Sequence, residues 1–80
     1  MSAVKYKLYG TQYCHLCDEA EIILREIGIA FDYVDIAEDD DLVERYGTRI
    51  PVLQRADNHA ELGWPFNVQE VIAWNKISHI

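Results

Sequence analysis

Hydrophobic and polar residues alternate at the start of the chain and then change to a helical period. From Val4 to Tyr9 every second residue points the same way, and the aromatic and branched side chains indicate a β-strand. From Cys17 onward the apolar residues recur every three or four positions, which predicts one face of an α-helix that ends at Gly28. The residues on this predicted face are Cys17, Ala20, Ile23, Leu24 and Ile27.

The middle of the chain predicts another strand and a short helix. Residues Ala30 to Ile36 alternate in the same way as the first strand. Asp39 then opens a helix as its N-terminal cap, and Gly47 ends that helix. The residues that the short helix is expected to bury are Leu42, Val43 and Tyr46.

Two short strands and a final helix complete the pattern. The segments Ile50 to Leu53 and Ala60 to Gly63 indicate strands joined by a polar turn. The last helix is predicted from about Val68 to Lys76, with Asn67 as its cap. The residues that it is expected to bury are Val68, Val71 and Ile72.

The order of these elements, β-α-β-α-β-β-α, predicts an α/β fold with one four-stranded mixed sheet. The first strand–helix–strand unit should be a right-handed parallel crossover, and the last two strands should form an antiparallel hairpin. Lys5 and Lys7 lie on the second face of the first strand. Either that face is only partly covered, or the lysine stems extend to its rim. With 80 residues, the chain is expected to form a single domain, residues 1–80.

Charge and composition exclude several classes of partner. Fourteen acidic and seven basic residues leave a formal net charge of −7. This charge argues against binding to nucleic acid or to anionic membrane surfaces, since both are bound through cations. No apolar run approaches the ~20 residues that a membrane span requires. The first residues contain no apolar signal core, so we expect a cytoplasmic protein.

The candidate chemistry lies in the two cysteines, Cys14 and Cys17, where the first strand leads into the first helix. Unpaired backbone N–H groups and the positive end of the helix dipole favour a thiolate on Cys14. Cys17 lies one turn further on the same side, where it can close a disulfide with Cys14. In the resulting mechanism Cys14 attacks a substrate disulfide, and Cys17 then releases the product. His15 either favours the Cys14 thiolate or faces solvent in its neutral form.

The cysteine pair has two other interpretations. The first is a buried pair without chemistry, because free cysteines often lie in protein cores. The second is a zinc or iron–sulfur site, which needs two further ligands. His15 lies inside the motif, His59 in a turn and His79 next to the C-terminus, so we expect no metal site and no tightly bound cofactor.

The cysteine motif and the segment Arg49-Ile50-Pro51 together resemble the glutaredoxin and thioredoxin superfamily. The shared features are an aromatic residue before Cys-X-X-Cys at a helix start and an Ile-Pro at a later strand start. The chain looks most like the small bacterial glutaredoxin-like proteins, with Cys-His-Leu-Cys at 14–17 and Trp-Pro-Phe at 64–66. The resemblance implies a thioredoxin-like fold, in which Cys14 is the exposed nucleophile and Cys17 the resolving thiol.

The resemblance also implies a substrate-binding edge beside the cysteines. Pro51 would correspond to the cis-proline of the family, and Ile50 would offer its backbone N–H and C=O to an extended substrate segment. Tyr13 would cover one side of the site, or else be a partly buried loop residue. Trp64 and Phe66 would form a wall of the site, or else close the core.

Several departures from the family pattern concern glutathione. Glutaredoxins commonly carry a lysine three residues before the first cysteine, where this chain has Thr11, and a threonine where it has Arg49. The Gly-Gly and Asp that hold the γ-glutamyl end are replaced by the segment 63–67. Arg49 could replace a lost cation by binding a carboxylate, or could be an exposed ion-pair partner. Glutathione and disulfide-containing proteins therefore both stay candidate partners.

The leading functional hypothesis is a monomeric, cytoplasmic thiol–disulfide oxidoreductase. It would reduce protein or glutathione mixed disulfides and so serve cellular redox homeostasis and electron transport. One alternative is a non-catalytic adaptor domain of the same fold. Another is a carrier of metal or an iron–sulfur cluster, held by two cysteines from each subunit of a dimer.

Overall fold

A computed structural model describes residues 5–78 and arranges them as one mixed sheet with three α-helices. The strands are β1 (Tyr6–Gly10), β2 (Asp32–Asp35), β3 (Val52–Arg55) and β4 (Glu61–Gly63), and the helices are α1 (His15–Glu26), α2 (Asp40–Tyr46) and α3 (Val68–Ser78). The order across the sheet is β2-β1-β3-β4, with β1 parallel to β2 and antiparallel to β3. Strands β3 and β4 form the predicted antiparallel hairpin. No helix within residues 5–78 is both long and apolar enough to cross a membrane.

Several element boundaries differ from the prediction. Strand β2 ends before Ile36, which begins a 3-10 helix (Ile36–Glu38) capped by the Asp35 carboxylate. Strand β3 starts at Val52, two residues later than predicted, because the Ile50 N–H is donated to a helix carbonyl and Pro51 has no N–H to donate. Strand β4 begins one residue later than predicted, and α3 continues to residue 78. In the predicted first strand, Val4 lies outside the described residues.

Helices α1 and α3 pack against one face of the sheet. The buried residues of this core are Tyr6, Leu8, Ala20, Leu24, Leu53, Phe66 and Val71. The predicted apolar face of α1 is confirmed, since Ile23 and Ile27 also pack against this core. In α3 the prediction for Ile72 is wrong, because its side chain is 42% exposed and Trp74 packs against the core instead. Residues 71 and 74 share a helix face because they are three positions apart.

A smaller core covers the other face of the sheet only near the carboxyl end of β1. Its buried residues are Tyr9, Ile36, Tyr46 and Val52. The rings of Tyr9 and Tyr46 are stacked, with centroids 4.5 Å apart. Lys5 and Lys7 stay exposed, so the second face is only partly covered, as one of the two interpretations held. The prediction for Val43 is wrong, because its side chain is largely exposed on the short helix α2.

The predicted helix ends are confirmed. The Asp39 carboxylate accepts the Asp41 N–H at 2.9 Å, and the Asn67 side chain accepts the Glu70 N–H at 2.8 Å. Each bond satisfies an N–H group that has no partner within its helix. Gly28 follows α1 with a φ of 76°, a left-handed conformation that glycine adopts without steric cost.

Arg55, at the end of β3, is a buried charge that the sequence analysis did not single out. Its side chain is 1% exposed, and it donates to both carboxylate oxygens of Asp57 at 3.0 and 2.7 Å. It also donates to the backbone and side-chain oxygens of Asn75 in α3, at 3.1 and 2.8 Å. The Tyr6 hydroxyl donates to the same Asn75 side chain at 2.8 Å. The hydrogen bonds from Arg55 hold the pKa of the Asp57 carboxyl below its ordinary value. This network joins β1, β3 and α3.

Candidate active site

The two cysteines lie where β1 leads into α1. Cys14 is the N-terminal cap of the helix, and its Sγ accepts the backbone N–H of Cys17 at 3.1 Å. The two residues are joined by a disulfide, with their Cα atoms 5.2 Å apart. The prediction that Cys14 lies at the start of the helix, and that the pair closes a disulfide, is confirmed.

The two cysteines of the disulfide differ in their access to solvent. Cys17 is 0% exposed and lies on the buried face of α1, whereas Cys14 is half-buried at the helix start. A sulfur that meets a second molecule must be accessible, so an incoming thiolate or disulfide would reach Cys14 first. The first turn of α1 also contains Asp18, whose negative charge opposes the effect of the helix dipole on Cys14.

Gly10 at the end of β1 leaves the space into which the Cys17 sulfur and the Tyr33 hydroxyl both extend. A Cβ atom at this position would lie 2.9 Å from Cys17 Sγ and 2.5 Å from the Tyr33 hydroxyl oxygen. The same hydroxyl donates to the Thr11 carbonyl at 3.0 Å. Tyr33 was not predicted as a site residue, because an aromatic residue in an alternating strand gives no sign of the loop that it will contact.

Pro51 lies at the same end of the sheet as the disulfide. Tyr9 pairs with Val52 across the β1–β3 ladder, which brings Pro51 next to Gly10. The Ile50–Pro51 peptide bond is cis, as the family resemblance implies. The Ile50 N–H is already donated to the Tyr46 carbonyl at 3.0 Å. Of the two backbone groups of Ile50 that were predicted to bind a substrate, the N–H is therefore excluded, and only the carbonyl remains a candidate.

Arg49 is held by a cluster of side chains from α2, β3 and β4. Its guanidinium donates to Glu61 at 3.1 Å and lies 5.5 Å from the centroid of the Tyr46 ring. The other oxygen of Glu61 accepts the Tyr46 hydroxyl at 2.5 Å and the Gln54 amide at 3.2 Å. Of the two interpretations of Arg49, the ion-pair partner is the one that the structure contains. A substrate carboxylate would have to share this half-exposed guanidinium with Glu61.

This cluster predicts a pH dependence of stability. Burial, together with the hydrogen bond to Glu61, raises the pKa of Tyr46 to about 12. Because the folded chain then holds the phenol proton more tightly than the unfolded chain, the stabilisation is complete below about pH 10 and is lost as the pH rises toward 12. In urea unfolding above about pH 10, we expect Tyr46→Phe to lose stability less steeply than the wild type. Tyr13→Phe, which removes a fully exposed phenol, is the control variant, and a Tyr46→Phe slope equal to that of the wild type would contradict the prediction.

The remaining predicted site residues differ in their surroundings. Tyr13 is fully exposed beside Cys14 and has a φ of 61°, so it is not a partly buried loop residue. His15 is the first residue of α1, and its side chain is exposed. Trp64 packs edge-to-face on Phe66, with ring centroids 5.0 Å apart. Phe66 belongs to the core between the sheet and helices α1 and α3, and Trp64 packs against that core. The Trp64–Pro65 bond is also cis, which was not predicted.

Metal ligation was the third interpretation of the cysteine pair. In the part of the chain that the structure describes, no group of three or more His, Cys, Asp or Glu residues is arranged to hold a metal ion. His59 is exposed in its turn, and His79 lies outside the described residues.

Comparisons with known proteins agree with this architecture. A family model described as "Glutaredoxin-like domain (DUF836)" matches residues 5–76, whereas no curated protein sequence gives a significant match. The X-ray structure of the structural-genomics target protein XcR50 from X. campestris has a TM-score of 0.84 at 38% identity, covering 90% of this chain and 96% of that chain. Protein Ne2328 from Nitrosomonas europaea has a TM-score of 0.79 at 25% identity, covering 92% and 93%. The glutaredoxin from Brucella melitensis, at 22% identity and a TM-score of 0.60 over 96% and 84% of the two chains, shares the fold. The chain therefore belongs to the glutaredoxin-like domain family (DUF836) and has a thioredoxin-like fold.

Proposed function

We propose that this chain is a thiol–disulfide oxidoreductase in which Cys14 attacks the substrate and Cys17 resolves the intermediate. The observation that carries the proposal is the disulfide at the N-terminus of α1, with Cys14 partly exposed and Cys17 buried. Membership of the glutaredoxin-like domain family supports it.

The helix start supplies what a reactive thiolate needs. The Cys17 N–H that reaches Cys14 Sγ would donate to the thiolate once the disulfide opens, and the positive end of the α1 dipole adds to this stabilisation. The Cys14 thiolate attacks a substrate disulfide, forms a mixed disulfide with one substrate sulfur and expels the other as a thiolate. Cys17 then attacks Cys14 and expels the first substrate sulfur. The substrate gains two electrons, and the cysteine pair loses two.

Protein disulfides are the substrate class that we propose over glutathione. Glutathione carries two carboxylates, and the cation nearest to Pro51 in sequence, Arg49, is already paired with Glu61. The net charge of −7 does not attract an anionic peptide. A polypeptide substrate, in contrast, would find exposed apolar surface beside Cys14, because Tyr13 is fully exposed and Leu16 is 43% exposed.

An equilibrium titration in glutathione redox buffers tests this proposal, with thiol alkylation and mass spectrometry as the readout. We expect a reversible two-thiol couple between Cys14 and Cys17, without a stable glutathione adduct on Cys14. Cys17→Ser is the matched control, because it keeps the nucleophile but cannot form the internal disulfide. A persistent adduct in the wild type would assign glutathione as the substrate. The lack of any reversible couple would overturn the oxidoreductase proposal in favour of an adaptor domain.

A further inference from the structure

The buried sulfur of Cys17 receives charge during disulfide exchange. When the disulfide opens, the electron pair of the S–S bond stays on Cys17, which is 0% exposed. Burial away from water destabilises a thiolate, so a sulfur in this position benefits from a hydrogen-bond donor supplied by the protein. The same requirement applies in the opposite direction, since Cys17 must be a thiolate in order to attack Cys14.

A hydrogen-bond donor and this sulfur both approach the point where β1 has no side chain. Cys17 Sγ and the Tyr33 hydroxyl oxygen converge on one position above Gly10, at 2.9 and 2.5 Å from where its Cβ would be. Any other residue at position 10 would place a Cβ too close to both atoms. In the disulfide form the hydroxyl donates to the Thr11 carbonyl at 3.0 Å. Because a phenol hydrogen rotates about the C–O bond, the hydroxyl can turn from one acceptor to another while the ring stays in place.

We propose that Tyr33 is a positioning residue for Cys17, and that its hydroxyl donates a hydrogen bond to the Cys17 sulfur when the disulfide is open. This inference rests on the proposed function, because it gives Tyr33 a role in the exchange step. Tyr33 lies in β2, which is parallel to β1 and places Tyr33 opposite Leu8. The hydroxyl therefore approaches Gly10 from the neighbouring strand.

The exchange step is balanced without any proton transfer to or from Tyr33. In the reductive direction, an external thiolate forms a bond to Cys14 Sγ, the Cys14–Cys17 bond breaks, and its electron pair moves to Cys17. In the resolving direction, the Cys17 thiolate forms a bond to Cys14 Sγ, the bond between Cys14 and the substrate sulfur breaks, and its electron pair leaves with the substrate thiolate. The Tyr33 hydroxyl stabilises the thiolate of Cys17 in both directions.

The Tyr33 phenol is protonated at neutral pH. Burial raises the pKa of the phenol, and the carboxylates of Glu21, Asp35 and Asp18 raise it further. Glu21 and Asp18 belong to α1 and Asp35 to β2, so both elements contribute negative charge near the hydroxyl. The phenol is therefore protonated at neutral pH and can serve as a hydrogen-bond donor but not as a base.

The ionisation of Cys17 tests this role directly. In a Cys14→Ser chain Cys17 is the single cysteine, and a ¹³C label on its Cβ reports its ionisation in an NMR titration. Adding Tyr33→Phe should lower the ionisation constant of Cys17 about tenfold, because hydrogen bonds to charged groups are among the stronger ones. Tyr9→Phe is the matched control, since it removes a phenol hydroxyl that donates to Gln54 at 2.9 Å within the other core. A Tyr33→Phe constant equal to that of the Tyr9→Phe control would overturn the inference and leave Tyr33 as an anchor for the Thr11 loop.

A kinetic measurement on the chain with both cysteines gives the second readout. Tyr33→Phe should slow reduction of the disulfide by dithiothreitol severalfold, because a leaving thiol of higher pKa leaves more slowly. Urea unfolding of each variant separates this effect from a loss of stability. The two proposals fail separately: a wild-type chain without exchange activity would overturn the proposed function, whereas the titration of the Cys14→Ser chain judges Tyr33 without any turnover.

Discussion

Cys14→Ser is expected to abolish disulfide exchange, and Cys17→Ser is expected to stop the reaction after its first step. A serine hydroxyl is not ionised at neutral pH and cannot form an S–S bond, so the rate should fall about a thousandfold or more. Without Cys17, the mixed disulfide on Cys14 has no internal thiol to resolve it. It should accumulate to one substrate per chain, measured by non-reducing electrophoresis and intact mass.

The position of the two sulfurs makes this pair of variants discriminating. The accessible Cys14 should form the trapped complex, whereas the buried Cys17 of the Cys14→Ser chain should not. A chain that lacks both cysteines is the control for non-covalent association with the substrate. Exchange by Cys14→Ser at the wild-type rate, or product release by Cys17→Ser at that rate, would contradict the assigned roles. A partner that is bound equally by the chain lacking both cysteines would instead support an adaptor domain.

Arg55→Ala is expected to lower the free energy of unfolding by about 3 kcal/mol, because it leaves a cavity where the buried side chain lay and removes its hydrogen bonds to Asp57 and Asn75. The Arg55 side chain is 1% exposed, and its guanidinium donates hydrogen bonds to Asp57 and Asn75 at distances of 2.7 to 3.1 Å. Small domains have about 5–15 kcal/mol of stability in total, so this is a large fraction of it. Urea unfolding followed by circular dichroism measures the change.

Two further variants separate the contributions of charge and packing at this site. Arg55→Met keeps most of the buried stem but removes the guanidinium, so it should cost less than Arg55→Ala. Arg25→Ala is the surface control, since Arg25 is paired with Glu21 at 3.4 Å and its side chain is 72% exposed. Its expected cost is below about 0.5 kcal/mol, as for other exposed helix pairs. Equal losses for Arg55→Ala and Arg25→Ala would contradict a structural role for the buried network.

Local features of this chain followed directly from the sequence. Cys14 at the start of α1, Asp39 and Asn67 as helix caps, and Gly28 after α1 all lie where the prediction placed them. A cap or a helical face depends on residues within about four positions of one another, and these are visible as spacing. The disulfide between Cys14 and Cys17 belongs to the same group, since only one helical turn separates them.

Contacts between distant parts of the chain did not follow from spacing. Tyr33 and Thr11 are 22 positions apart, Arg55 and Asn75 are 20 apart, and Arg49 and Glu61 are 12 apart. Each pair depends on which strands become neighbours and on which end of the sheet they meet. The alternating pattern of a strand specifies two faces but not the neighbour on either side. In α3, Ile72 and Trp74 both lie within one turn of Val71, and only the packing of the helix on the sheet decided that Trp74 contacts the core.

The family, the cysteine pair and the cis-proline beside it were therefore accessible from sequence, whereas the contacts of Tyr33, Ile50 and Arg49 were not. The order β2-β1-β3-β4 brings Tyr33 to one side of Gly10 and Pro51 to the other, so three separate segments meet at the disulfide. The same packing commits the Ile50 N–H to Tyr46 and the Arg49 guanidinium to Glu61. Which of these hydrogen-bonding groups become partners is decided only when the sheet has assembled, because a polar group that is removed from water must pair with a group that lies next to it.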